Sequence, residues 1–308
     1  MRVVTQDAVG GPDQLHVGEQ PMPEPGEGEM LVRVAAAGIN PVDLAVRAGA
    51  FPLIGDPPFV LGWDIAGTVE RTGPGVTGFS PGVRVTGLSR FPREAGAYGD
   101  YACVAADEFI RTPENMTDAE AAGLPLAGLT AWQAFFDEAG LKANDRVLVH
   151  AGAGGVGHLA IQIAKVFGAH VTTTVSAGKT DYVRSIGADE VIDYRATDFT
   201  AVAADMDIVL ETVAGDQILQ SLKTLKPGGI VVSLKTPGEE AEKLAAETGK
   251  RLAGMLVHPD AAALQRLAVL ATEREIRVHV AKTFPMEQAG EAHRFLETAP
   301  IGKVVLVN

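Results

Sequence analysis

The segment that most limits how this chain can fold is Ala151-Gly152-Ala153-Gly154-Gly155-Val156-Gly157, a G-x-G-x-x-G pattern at Gly152, Gly154 and Gly157. Glycine triplets also occur in loops and linkers, so the pattern alone says little. Its flanks say more. The apolar run Arg146–His150 (RVLVH) precedes it and an amphipathic helical pattern, Gly155–Phe167, follows, as a strand–turn–helix unit requires. In such a unit the first glycine permits a tight turn. The second lets the backbone approach a pyrophosphate, and the third lets the helix pack against the strand. Free N–H groups at the helix start then face the phosphates. The competing reading is a glycine-rich turn in an α/β protein that binds no dinucleotide.

The pattern around the loop repeats the same alternation. His170–Val175 is followed by a helix over Lys179–Ile186 and a short strand, Glu190–Asp193. Asp207–Glu211 is followed by a helix over Gly215–Leu225, and the strands Gly229–Leu234 and Arg251–Val257 close the series. Strands separated by crossover helices imply a parallel, doubly wound sheet, the Rossmann arrangement. The earlier part of the chain differs. Met30–Ala36, Gly67–Arg71 and Gly82–Gly87 read as short strands, with turns such as Gly73-Pro74-Gly75 between them, which suggests a compact β-barrel. Near residue 120 the character changes, and Asp118–Gly140 reads as helical. Past His258-Pro259, helices over Ala261–Glu273 and Met286–Glu297 lead to a final strand, Lys303–Val307. The expected fold class is α/β with two domains: residues 1–122 completed by 259–308, and a dinucleotide-binding domain over 123–258.

Cofactor choice is read at the end of the second strand of such a unit, where an Asp or Glu would hold the ribose 2′-hydroxyl of NAD. The chain has Thr174-Val175-Ser176-Ala177-Gly178-Lys179 there, with no acid to repel a 2′-phosphate. Ser176 can donate a hydrogen bond, Lys179 adds charge, and Tyr194 after the third strand adds a hydroxyl. Read singly, Ser176 is also a good helix cap and Lys179 an ordinary surface lysine. Taken together the three favour NADPH. Composition narrows the partners. With 26 Lys and Arg against 39 Asp and Glu the net charge is −13, which argues against nucleic acid and against an anionic membrane. One cysteine, Cys103, excludes an intrachain disulfide and suits a cytoplasmic enzyme, and the N-terminal MRVVTQDAVGGPDQL does not read as a secretory leader.

Five segments in order, AAGINPVDLAVRAG from Ala36, LGWDIAGTV from Leu61, GLTAWQAF from Gly128, the glycine loop, and GADEVIDY from Gly187, resemble the zinc-independent quinone oxidoreductase branch of the medium-chain dehydrogenase/reductase superfamily. The Leu225–Gly229 stretch and the ending from Gly302 to Leu306 are similar to it too. The resemblance implies a GroES-like catalytic domain beside a Rossmann domain, with the active site in a cleft between them. It also implies NADPH as cofactor, a small quinone or enone as substrate, and a homodimer through the last Rossmann strand, here Arg251–Val257. Zinc members carry a Cys and a Gly-His-Glu motif. Here Asn40 stands near the Cys position and Gly62-Trp63-Asp64 replaces Gly-His-Glu, so no metal is expected.

The resemblance also implies roles. It places Asn40 and Asp43 near the nicotinamide and Thr130 on the nicotinamide side. Asn40 would donate to a substrate carbonyl and Asp43 would fix a loop or Arg47. Tyr98 would reach the cleft as a donor, and Trp63 would wall the pocket. Each has a plainer reading: a loop cap for Asn40-Pro41, a helix N-cap for Asp43 ahead of Leu44–Arg47, a turn residue for Tyr98, core for Trp63. Where some quinone reductases have a tyrosine shortly after the Asn-Pro-Val motif, this chain has Ala45. An enoyl-thioester or alkenal reductase, and a non-catalytic NADPH-binding protein, remain as alternative functions.

Overall fold

The computed structural model describes residues 1–213 and 217–308. Two compact units divide the chain. One comprises Met1–Leu129, His258–Arg274 and Val278–Asn308, the other Thr130–Val257 with Glu275–Arg277. The division therefore falls slightly later than the composition shift near residue 120 suggests.

The first unit is built on the long strand Glu29–Ile39, whose apolar residues are almost all buried. It pairs antiparallel with Asp64–Thr72, Tyr101–Ala105 and Lys303–Val307. The main sheet runs in the order Val280–Pro285, Lys303–Val307, Glu29–Ile39, Asp64–Thr72, Arg84–Leu88, Phe109–Arg111. A smaller sheet orders His16–Glu19, Arg2–Gln6 and Phe59–Val60. Small residues let helix Asp118–Gly123 press onto the main sheet. Ala36, Ala66, Ala121, Ala122 and Val305 are fully buried against one another, and a Cβ on Gly38 would stand 2.3 Å from the Ala122 carbonyl oxygen. The short helix after the central strand is Pro41–Arg47, with Asn40 as its N-cap. Asp43 thus lies one turn inside the helix, at its third position, not at its cap. Pro41 is the reason: its fixed φ suits the first helical position, so the helix opens earlier than the polar pattern suggests.

The second unit is a parallel six-stranded sheet in the order Glu190–Asp193, His170–Val175, Arg146–Val149, Met206–Glu211, Leu225–Ser233, Arg251–Gly254. Its central strands are apolar on both faces, as a sheet flanked by helices requires. Helix Gly155–Val166 buries Gly157 to Ala164, and helix Gln217–Thr224 packs Ile218 and Leu222 into a core with Val209 and Val231. Residues 215 and 216, expected at the start of that last helix, lie outside the described residues.

Three elements depart from the sequence pattern. Asp118–Gly140 is not one helical stretch: Pro125 opens a new helix, Pro125–Gln133, which runs into a wider turn over Ala134–Ala139. Proline cannot donate to the preceding turn, so a break there is forced. Helix Glu239–Glu247, where the sequence reading places no element, sets Ala241 and Ala245, one turn apart, in the core. Strand Val280–Pro285 carries no clear alternation and owes its form to parallel pairing with Lys303–Val307. Among the described residues no helix is long and apolar enough to cross a membrane.

Close backbone approach between two strands yields a direct test. A Cβ at Gly67 would lie 2.2 Å from the Arg33 carbonyl oxygen. Gly67→Ala should destabilise the protein by about 1–3 kcal/mol through overpacking. Urea unfolding reads this as a lower midpoint, and an unchanged midpoint would contradict the packing described.

Candidate functional site

In the second unit, the glycine loop leaves the sheet at the end of strand Arg146–Val149. The three glycines are small for different reasons. A Cβ on Gly152 would sit 1.9 Å from Thr173 Oγ1, and one on Gly157 would sit 2.4 Å from the Ala151 carbonyl oxygen. Those two positions are closed by the protein itself. Gly154 is different: among the described residues a Cβ there would meet the Ala151 oxygen alone within 4 Å, at 3.2 Å. That is less crowding than at the other two glycines, and among those residues it leaves room for a ligand to approach the backbone. Gly154 is also the N-cap of helix Gly155–Val166 and offers no side-chain cap, so N–H groups of the first turn stay open to an anion. Ala153 is buried, while Gly154, Gly155 and Val156 are partly exposed at the mouth of the loop. These features fit a dinucleotide pyrophosphate.

The neighbouring strand ends place the next group. Val175 is in register with Asp193, so Ser176 and Tyr194 follow side by side, and the Tyr194 N–H donates to the Val175 carbonyl at 3.2 Å. Ser176 caps the short 3-10 turn Ala177–Lys179 without using its side chain. Tyr194 is 53% exposed. Beside it stands a cation the sequence reading passes over: the Arg195 guanidinium lies 5.7 Å from the Tyr194 ring centre. Two hydroxyls and two cations at one sheet edge suit a phosphomonoester.

The first unit gathers Asn40, Asp43 and Tyr98 into one buried polar cluster, with exposures of 2%, 0% and 0%. The Asn40 N–H donates to Asp43 Oδ2 at 2.6 Å. The Asn40 amide donates to Asp64 Oδ2 at 2.9 Å. Lys303 Nζ donates to Asn40 Oδ1 and, at 3.3 Å, to Asp64 Oδ2. Lysine only donates and a carboxylate only accepts, so the Asn40 carboxamide has a single allowed orientation. The other Asp64 oxygen accepts from the Leu126 N–H at 2.7 Å, near the start of helix Pro125–Gln133. Burial pushes Asp43 up to about 8. It also raises Asp64, against the pull of Lys303. Lys303 Nζ, 3.3 Å from Asp64 Oδ2, makes the ion pair of the cluster, while Asp43 is held mostly as the acid at neutral pH.

Tyr98 bonds to His293 Nε2 at 3.1 Å, and Arg47 donates to His293 Nδ1 at 3.2 Å. Since Arg47 occupies Nδ1, His293 carries its hydrogen on Nε2. Arg47 therefore turns to His293 and to Glu297, at 3.2 Å, instead of to Asp43. Trp63 is 1% exposed and donates to the Arg93 carbonyl, which makes it core. Thr130 is 4% exposed on helix Pro125–Gln133. Missing from the sequence reading were Asp64, Lys303, His293 and, in the second unit, His150, Glu211 and Ser221. Lys303 opens an apolar strand, and His150 abuts the glycine loop; both are polar groups at buried-strand positions, the signal that singles them out. Among the described residues no group of three or more His, Cys, Asp or Glu side chains is gathered as a metal site.

The family described as Alcohol dehydrogenase GroES-like domain matches residues 26–114, and that described as Zinc-binding dehydrogenase matches 186–306. A 2-haloacrylate reductase from a Burkholderia species is 32% identical, over 97% of this chain and 96% of its own length. The solved quinone oxidoreductase of Coxiella burnetii superposes with a TM-score of 0.95 at 36% identity, covering 100% of this chain and 99% of that one. An Escherichia coli quinone oxidoreductase complexed with NADPH gives 0.91 at 28% identity, covering both chains fully (100% and 100%). A polyketide synthase from Streptomyces halstedii is 35% identical over 91% of this chain, which spans only 5% of that protein's length. The chain belongs to the quinone oxidoreductase branch of the medium-chain dehydrogenase/reductase superfamily.

Two tests arise here. Burial, with help from Arg47, lowers His293 to about 3. Its folded value is depressed, so its contribution to stability is full above about pH 6.5 and is lost as pH falls from there toward 3. His293→Gln should therefore lose less stability on acidification, the slope between pH ~6.5 and ~4.5 shrinking by up to about 1.4 kcal/mol per pH unit in urea titrations. Parallel slopes would show that His293 is not held neutral. For the phosphate group, wild type should bind NADPH at least about tenfold more tightly than NADH, and Lys179→Ala should lose most of that preference while NADH binding holds. Fluorescence titration with both cofactors measures it; equal dissociation constants in wild type would remove the basis for the assignment.

Proposed function

We propose that the chain is an NADPH-dependent oxidoreductase that reduces quinones or similar conjugated carbonyl compounds by hydride transfer, without zinc. The observation that carries the reading is the open backbone at Gly154, set at an uncapped helix start, with Ser176, Lys179 and Tyr194 at the neighbouring strand ends. The NADPH complex of the Escherichia coli relative supports it. In this reading the first-turn N–H groups of Gly155 to Gly157 hold the pyrophosphate, and Ser176, Lys179 and Tyr194 hold the ribose phosphate. When bound, the cofactor supplies a hydride. A conjugated acceptor takes it at carbon and becomes a delocalised anion, which water can protonate, so no nucleophile is required of the protein.

Asn40, Asp43 and Tyr98 remain the catalytic candidates of the first unit. Their burial gives them a part in orientation and charge, by holding the loop at Asn40-Pro41 around the Lys303 ammonium, ahead of direct contact. The same ammonium supports zinc independence. Asn40 and Asp64 stand where zinc members have Cys and Glu, and both already face a fixed cation that a divalent ion would have to displace. The Burkholderia relative, a 2-haloacrylate reductase, favours a second reading: reduction of a simple activated alkene. Strand Arg251–Gly254 pairs on one side only among the described strands, and we keep pairing with a second copy there as part of the proposal.

A turnover panel tests the whole reading. Purified protein with NADPH should reduce 1,4-quinones or enones readily and, with NADP, oxidise simple alcohols slowly, because no Lewis acid ionises them. Activity should survive a chelator, with zinc well below one per chain by elemental analysis. Asn40→Ala should lower turnover roughly 10–100-fold through misplacement while NADPH affinity holds. Fast alcohol oxidation with no conjugated acceptor reduced, or stoichiometric zinc lost together with activity, would refute the proposal.

A further inference from the structure

Four buried side chains beneath the glycine loop form a single hydrogen-bond path. Glu211 ends strand Met206–Glu211, His150 follows Arg146–Val149, Thr174 lies in His170–Val175, and Ser221 is on helix Gln217–Thr224. The three strands are neighbours in the sheet. Glu211, His150 and Ser221 are 0% exposed and Thr174 is 3% exposed.

The path has one direction. Burial pushes Glu211 up to about 6, so above that pH it is a carboxylate that only accepts, and the Ser221 hydroxyl gives it its hydrogen, at 2.6 Å. His150 Nε2, 3.1 Å from Ser221 Oγ, must then be the donor of that pair. His150 Nδ1 is left as an acceptor and takes the Thr174 hydroxyl hydrogen at 3.0 Å. Thr174 Oγ1 in turn accepts the Ala151 N–H at 3.2 Å. Burial lowers His150 to about 3, so the imidazole is neutral and carries one hydrogen, as this order requires. The Phe199 ring, 4.7 Å away, closes over it.

The end of the path is the strained residue of the loop. Ala151 has φ +51, a left-handed conformation without a glycine. Such a residue persists only where its surroundings hold it. Its carbonyl accepts from the Gly154 N–H at 2.9 Å and lies where a Gly157 Cβ would clash. Its N–H is held by Thr174. Glu211 also accepts the Val213 N–H at 2.8 Å, so one carboxylate anchors the exits of two adjacent strands.

We propose that Glu211 is a positioning residue for NADPH binding, acting through Ser221, His150 and Thr174 to fix the Ala151 peptide and with it the glycine loop. The proposal rests on the reading that this loop holds the dinucleotide. None of the four side chains needs to touch the cofactor.

The test is nitrogen NMR of the histidine rings in the full chain, at a pH well above 6, joined to NADPH titration by fluorescence. His150 should carry its hydrogen on Nε2 in wild type. In Glu211→Gln the amide donates to Ser221, the serine hydrogen turns to His150 Nε2, and the ring should switch to the Nδ1–H form, with NADPH affinity down roughly tenfold. Thr174→Val keeps the shape, removes the hydroxyl and should weaken NADPH binding by about the same factor, whereas Thr174→Ser should bind as wild type. Gly157→Ala, which fills the loop itself, should also weaken binding. An Nδ1–H ring in wild type overturns the proposal. So does Thr174→Val binding like wild type while Gly157→Ala does not. If Gly157→Ala also binds like wild type, the loop is not the cofactor site, and the proposal falls with that reading. Should Glu211→Gln fail to fold, the Thr174 pair decides alone.

Discussion

The first unit depends on one buried ion pair. Lys303 opens the last strand and Asp64 opens the strand Asp64–Thr72, and their charges meet at 3.3 Å with 2% and 0% of the side chains exposed. Neither charge is tolerable alone in that environment, since removal of one partner leaves the other uncompensated and desolvated. The pair therefore makes the end of the chain a condition for the order of its middle. It fixes the carboxamide of Asn40, the N-cap residue of helix Pro41–Arg47, and it holds the Leu126 N–H near the start of helix Pro125–Gln133. Four segments far apart in sequence converge on two side chains.

The second unit solves its main problem differently. A glycine loop at an uncapped helix start has no side chains of its own to hold its shape, so that shape has to be imposed from below. Gly152 and Gly157 supply the close contacts, and Ala151 absorbs the strain. The polar path from Glu211 to Thr174 runs under that point, with every donor matched to an acceptor, which a buried network needs if it is to stabilise one arrangement. Both units thus hold a local arrangement through buried polar contacts, with a charged pair in one and a neutral chain anchored by a carboxylate in the other.

Much of this was legible in the residues. The doubly wound sheet follows from apolar runs alternating with helical periods, and the glycine loop with its helix stands where the pattern puts it. The absence of an acid at Ser176 to Lys179 is a purely local feature and was readable as such. Helix boundaries were less so: Pro41 and Pro125 shift starts by a few residues, and the charge-rich Glu239–Glu247 hides its two core alanines. Strand Val280–Pro285 was invisible because its form comes from a partner strand and not from its own alternation.

The sequence by itself determined the alternation of the parallel sheet and the place of the glycine loop, because these rest on local periodicity and on glycines at fixed spacing, and its ordered segments resembled the family to which the chain belongs. Only the tertiary structure decided what Asn40, Asp43 and Tyr98 face. Residue type shows that a side chain can donate or accept; burial and neighbours show whether that capacity is already used. Lys303 lies 263 positions from Asn40 along the chain, and Glu211 reaches Ala151 through three other side chains. Such long-range pairing of polar groups leaves no periodic trace, because it is set by how the strands are ordered in space and by the cost of leaving any one of those groups buried without a partner.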